Sequence, residues 1–171
     1  MDAHEREVSP PEGMTLRRTV DSDIDYIKSC IKRSVEQSVT DVERDMSDLW
    51  IDTILAISER SILSGMMEDE TFVLIDENGS YAGSLWLGKS SDQFTCDDTG
   101  YVLGIFVEPH MRCRGLGSYL LSVAESWCRE KGYLHLTLNV GWHNENAKRF
   151  YDSHGYMVRS EVRRKELYPP L

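Results

Sequence analysis

Between Val107 and Lys131 the chain reads VEPHMRCRGLGSYLLSVAESWCREK: a strand end, a glycine-bearing turn and the start of a helix. Residues of these types in this order can hold an anionic phosphate. The N–H groups of such a turn and the positive end of the helix dipole attract a pyrophosphate, and glycine lets it approach the backbone. A Walker loop would need Lys-Ser or Lys-Thr after its second glycine, but Gly117 is followed by Ser118 and Tyr119. A dinucleotide fingerprint would need a third glycine where Leu120 stands, on the first strand of the fold. A second group lies in NENAKRFYDSHGY, where Asn144, Ala147 and Tyr151 follow an i, i+3, i+7 spacing that puts them on one face of a helix.

The elements that must position these groups can be read from periodicity and turn chemistry. Residues 1–13, with Pro10, Pro11 and many charges, read as a flexible tail before a single domain over 14–171. MTLRRTV reads as a strand, and Asp21 or Ser22 as the cap of a helix carrying Ile24, Ile27, Ile31 and Val35. A second helix is expected from about Thr40, with Val42, Met46, Leu49, Ile54 and Ile57 inward. TFVLID and YAGSLWLG flank Asn78-Gly79 as a hairpin. TGYVLGIFVEP is apolar along most of its length, as a strand covered on both faces should be, and Gly104 inside it signals a bulge or a place where a ligand or backbone comes close. A helix over about Gly115–Lys131 follows, then the strand LHLTLNV, a helix from about Asn144 to Ser153, and one or two closing strands from YMVRSEV and RRKEL.

Length and composition bound the class. With 171 residues, 40% of them apolar, the chain can bury one core, and an α/β unit is expected. The acidic start and the lack of a long apolar run suggest a soluble, cytoplasmic protein with no membrane partner. The four cysteines form no CxxC pair and read as free thiols, without a metal site. Residues 1–100 carry 22 acids and 9 bases, residues 101–171 carry 7 and 10. The basic half suits polyphosphate; the acidic half draws cationic partners and repels nucleic acid, or serves only for solubility.

Val107, Pro109, Arg112, Gly115 and Gly117 match the V-x-P and (R/Q)-x-x-G-x-(G/A) hallmark of the GCN5-related N-acetyltransferase superfamily, which this chain resembles. Asn144, Ala147, Phe150, Tyr151, Gly155 and Tyr156 match a second signature of that family. The resemblance covers roughly residues 14 to 167. It implies a mixed, mostly antiparallel sheet of six to seven strands, splayed between the fourth and fifth, flanked by about four helices. It also implies acetyl-CoA as co-substrate without a metal, and a primary amine as acceptor, either a small cationic metabolite or a peptide amine. Exposed strand edges would permit a homodimer. The resemblance places the pyrophosphate on the backbone of Arg112, Cys113, Arg114, Gly115, Leu116, Gly117 and Ser118. Ile105, Phe106 and Val107 would hold the pantetheine arm, with Asn144 and Ala147 beside it, and Tyr151 would direct its hydroxyl at the leaving sulfur.

Chemistry limits these roles. A tyrosine near pKa ~10 is a poorer acid than a thiol near ~8.5, so complete proton transfer to the thiolate is uphill by about 2 kcal/mol, and hydrogen bonding or concerted transfer is expected. A fixed N–H facing the thioester oxygen would be worth about 3 kcal/mol. The fourth strand lacks the glutamate of some family members; Asp97 or Asp98 acting through water, or no base at all, remain as alternatives, while Glu108 reads as solvated or capping. Freeing an amine of pKa ~10.4 at neutral pH costs about 4.6 kcal/mol, an α-amine of ~7.8 only about 1. Cys113 need only be small; His110, His143 and His154 read as surface or supporting groups, and Trp86, Glu36 and Gln37 as core or solvated residues at the edge of an acceptor pocket. The rival from another class is a non-catalytic acyl-CoA-binding module.

Overall fold

A computed structural model describes residues 9–38, 53, 56, 69–165 and 167. The elements are β1 (Met14–Arg18), α1 (Ile24–Glu36), β2 (Glu70–Asp76), β3 (Tyr81–Ser91), β4 (Asp98–Val107), α2 (Leu116–Glu130), β5 (Leu136–Leu138) and α3 (Glu145–Ser153). The strands form one sheet in sequence order, antiparallel at every step except β4 to β5, which is parallel. The helix expected from about Thr40 falls outside the described residues, apart from the isolated helical positions 53 and 56.

The α/β class holds, and the strand count is corrected: the sheet has five strands among the described residues, not six or seven. The closing strands expected from YMVRSEV and RRKEL are absent, since 156–165 carry no strand. Met157, Val158 and Val162 are almost wholly exposed, so this stretch has no apolar face against the sheet to fix a register. The expected hairpin does form. Gly79 takes φ +80° while Asn78 does not, and the Asp76 carboxylate accepts from the N–H groups of Asn78 and Ser80. It is therefore a turn closed by one left-handed glycine, not an Asn-Gly pair with both residues left-handed.

The core lies on one face of the sheet. Leu116, Leu120, Ala124, Trp127 and Cys128 of α2 pack on Leu74, Leu85, Leu87 and Val102. On the opposite face α1 is anchored through Asp23, fully buried just ahead of the helix. Its carboxylate accepts both guanidinium nitrogens of Arg17 at 2.6 and 2.9 Å, the Tyr81 hydroxyl at 2.7 Å and the Val20 N–H at 2.8 Å. Tyr26 of α1 stacks on the same Tyr81, ring centroids 3.9 Å apart. One carboxylate thus ties β1, β3 and α1 together.

The Arg17 hydrogen bonds, helped by Val20 and Tyr81 and opposed by burial, hold the Asp23 carboxyl well below the usual carboxylate range. A depressed folded-state pKa contributes stability that is fully present above pH ~4 and is lost as pH falls toward the folded value. Asp23→Ala should lower the unfolding free energy by about 3 kcal/mol near neutral pH and flatten the loss of stability below pH ~4, as read by urea denaturation across pH.

Candidate active site

The site is built where β4 leaves β5. The two pair only over Gly100–Val102 with Leu136–Leu138, and beyond this Leu103–Val107 have no partner on that side among the described residues. On its other side β4 stays paired with β3, with one irregularity: Trp86 opposes Gly104 and Leu87 opposes Val102, leaving Leu103 extra. This is the bulge signalled by Gly104. It reverses which amides face the gap, because strand N–H groups alternate in direction. Gly100 donates toward β5, to His135 O, whereas Glu108 donates to Ala82 O on β3. The N–H groups of Ile105 and Val107, odd positions beyond the bulge, therefore point into the gap, and that of Phe106 points to β3.

The strand runs on through a 3₁₀ turn at Pro109–Met111 into Arg112–Gly115 and then α2. Gly115 caps α2 with φ +79°, and Cys113 adopts φ +60° without being glycine, at a cost of about 1–2 kcal/mol. The turn is exposed from Arg112 to Gly115, so its N–H groups and the helix N-terminus open to one side. Leu116 is buried in the core, so only its backbone is available to a ligand.

α3 stands against this turn. Gly117 lies close under Phe150, a Cβ there standing 3.3 Å from Phe150 Cζ, tighter than ordinary contact. The His154 ring lies tilted against Phe150, centroids 4.4 Å apart, and its Nε2 meets Ser118 Oγ at 2.9 Å. His154, read from sequence as a supporting group, thus joins the two motifs. Tyr151 is buried between Phe150 and Tyr156. Asn144 is the N-cap of α3, its Oδ1 accepting the Ala147 N–H at 3.1 Å, a bond that does not use the amide NH₂.

Comparison with known proteins decides what this assembly is. Residues 37–156 match the model of the Acetyltransferase (GNAT) family. The chain belongs to the GNAT acetyltransferase family. It is 30% identical over 100 residues to the uncharacterized N-acetyltransferase YhfO of Bacillus subtilis (strain 168), covering 58% of this chain and 67% of that relative. Its fold resembles a putative acetyl transferase from Pyrococcus furiosus, with TM-score 0.67, 25% identity, and 90% of this chain and 99% of the other covered. AAC(6')-Iy in complex with the bisubstrate analog CoA-S-monomethyl-acetylneamine shares the fold at TM-score 0.67 and 17% identity, over 91% and 99% of the two chains.

Within this GNAT acetyltransferase, burial pushes the Tyr151 hydroxyl up to about 12. Beside a thiol of ordinary pKa ~8.5 such a hydroxyl is the weaker acid by about 5 kcal/mol. The two acids considered for a base lie at the outer end of β4. Asp98 pairs with Lys89 at 2.7 Å at the outer end of β4, and six residues of strand put it about 20 Å from Gly104. Asp97 is exposed one residue further out.

Glu108, read from sequence as solvated or capping, stands at the cap position of the 3₁₀ turn, but its side chain makes no cap bond and is locked by Arg33 instead. Its two carboxylate oxygens accept Arg33 NH1 and NH2 of α1, both at 2.9 Å, and the Arg33 guanidinium lies over the Phe106 ring at 4.3 Å. Arg112 Nε donates to Val107 O at 3.1 Å from the turn. The Arg33 hydrogen bonds hold the Glu108 carboxyl below its usual range, which makes it a poor base. No sequence signal links Arg33 to Glu108, because the contact spans α1 and the end of β4. Among the described residues no cluster of His, Cys, Asp and Glu could hold a metal ion, and no helix is long and apolar enough to cross a membrane.

In a double-mutant cycle of Arg33→Gln and Glu108→Gln, denaturation should show a coupling of about 1 kcal/mol, moderated by the partial exposure of Arg33. Additive single effects would remove the clamp from this description.

Proposed function

We propose that this acetyltransferase moves the acetyl group of acetyl-CoA to a primary amine. One observation carries the reading. The gap-facing N–H groups of Ile105 and Val107 lie on the same strand that continues into the Arg112–Ser118 turn, so a peptide-like arm and a pyrophosphate could be held in line. The residues fit such a donor: unpaired strand amides at one end and, at the other, an open turn with a left-handed Gly115 and a helix N-terminus.

Acetyl-CoA supplies an acetyl group activated as a thioester. The chain's own residues do the rest. The Ile105 N–H is the donor for the carbonyl oxygen as it gains charge, worth about 3 kcal/mol by analogy with oxyanion holes. Tyr151, neutral at every working pH because its hydroxyl is raised, donates a hydrogen bond toward the departing sulfur. Asn144 offers its amide NH₂ to the arm, its oxygen being engaged by Ala147. A primary amine is the acceptor that accords with the bound analog of AAC(6')-Iy, which joins CoA to an amine-bearing moiety, and with the acid-rich first hundred residues.

Tyr151→Phe should lower kcat by about 100-fold while leaving the dissociation constant for acetyl-CoA within threefold, measured by thiol release and calorimetry. Unchanged turnover would end the role assigned to Tyr151. Saturable acetyl-CoA binding with no transfer to polyamines, amino acids, aminoglycosides or peptide N-termini would replace the enzyme by a binding module.

A further inference from the structure

Where the two signature motifs meet, one imidazole joins the ends of two helices. His154 follows α3, and its Nδ1 lies 2.7 Å from the Phe150 carbonyl oxygen in the last turn of that helix. Its Nε2 lies 2.9 Å from Oγ of Ser118, the third residue of α2, in the helical turn that follows Arg112–Gly115. A carbonyl can only accept, and a bare Nδ1 so close to it would set two lone pairs together, so Nδ1 carries a proton in either charge state of the ring. In the neutral ring Nε2 is then an acceptor, and the Ser118 hydroxyl must donate to it. That hydroxyl has no other hydrogen-bond partner among the described residues; Ser122 Oγ donates to the Ser118 carbonyl instead.

The direction of the Ser118 proton decides what the turn offers an anion. With His154 neutral, the O–H is spent on the ring and the hydroxyl has only lone pairs left, which repel a phosphate oxygen. With His154 protonated, Nε2–H donates to Oγ and the hydroxyl proton is released to donate elsewhere. The ring then also brings a positive charge to a helix N-terminus suited to an anion. No carboxylate is bonded to the ring among the described residues; its polar contacts are Ser118, the Phe150 carbonyl and Ser153 Oγ at 3.2 Å. Of the charged groups on the elements around it, Arg112 and Arg114 lie exposed in the turn, Glu125 of α2 is bonded by Arg129 and Tyr156, Arg149 of α3 is bonded to Asn146, and Asp152 is exposed. The other titrating groups nearby are His110 and Cys113 on either side of Arg112, and His143, which lies edge-on to Trp142 ahead of α3.

We infer that His154 is a positioning residue for the donor: once protonated, it releases the Ser118 hydroxyl to the pyrophosphate of acetyl-CoA. The inference rests on the acetyl-CoA reading and adds a residue that acts through Ser118 without touching the reacting atoms. Binding takes up a proton wherever the free ring is neutral, because a donor that prefers the protonated form also holds the proton on more tightly. Donor affinity is therefore greatest at low pH and falls as His154 loses its proton. Sequence alone gives His154 no such role, since in FYDSHGY it occupies an unspecified position between the matched Tyr151 and Gly155.

Acetyl-CoA carries a 3′-phosphate monoester that itself titrates near pH ~6, so the probe is dephospho-CoA, whose pyrophosphate stays ionised throughout. Calorimetry between about pH 6 and about pH 8, in buffers of different ionisation enthalpy, reads both the affinity and the protons taken up. Wild type should bind the probe about threefold or more tightly at the lower pH, with proton uptake. His154→Gln, which can still bond Ser118 but cannot change charge, and Ser118→Ala should each abolish both effects, while His110→Gln keeps them. A second measurement needs no variant: the ¹⁵N-imidazole titration of His154 in wild type should move to higher pH when dephospho-CoA saturates the protein. Affinity independent of pH in wild type, a pH dependence that survives His154→Gln or Ser118→Ala, or an imidazole titration unmoved by the probe overturns the inference. Binding of acetyl-CoA and dephospho-CoA without these effects would leave the donor reading standing; binding of neither at any pH would remove that reading and the inference together.

Discussion

The site depends on a sheet that comes apart. Three residues of parallel pairing hold β4 to β5, and the strands then separate while β4 remains bonded to β3. Backbone N–H and C=O groups seek partners, and an unpaired row at the edge of a strand is a template for whatever extended chain can reach it. The bulge at Leu103 decides which members of that row are offered. Without it Gly104 and Phe106 would aim their amides into the gap; with it Ile105 and Val107 do. One inserted residue thus sets the orientation of the whole binding edge.

Two further contacts keep that edge in place. On one side α3 is pressed to the start of α2 through Phe150 against Gly117 and His154 against Ser118. On the other, α1 is fixed at its start by Asp23 and near its end by the paired contact of Arg33 with Glu108 at the point where β4 becomes the turn. The helix also lays Arg33 over Phe106, whose ring lies on the strand that lines the gap. Ser38, just past α1, touches Gly141 ahead of α3. α1 therefore reaches from the β1 side of the sheet to the loop ahead of α3.

Much of this was legible in the chain. V-x-P followed by RCRGLG and the spacing of Asn144, Ala147 and Tyr151 located the turn and the facing helix, because backbone geometry there demands particular residue types at fixed offsets. Gly104 gave away the bulge for the same reason. The closing strands were over-read: YMVRSEV alternates well enough, but alternation reports only a face that could be buried, and nothing here buries it. Arg33 with Glu108 and Asp23 with Arg17 could not be read at all. The first pair is 75 residues apart and the second only six, and in neither does a lone charge have a periodicity to mark its partner. Asp97 and Asp98 adjoin β4 in sequence, yet the length of the strand separates them from its bulge.

The central claim is that the unpaired edge of β4 receives the donor, and amide hydrogen exchange of β4 with and without acetyl-CoA tests it most directly. Saturating acetyl-CoA should slow exchange at Ile105 and Val107, whose amides face the gap, and leave Phe106, already bonded toward β3, nearly unchanged. Saturable binding with no added protection at Ile105 and Val107 would contradict the account.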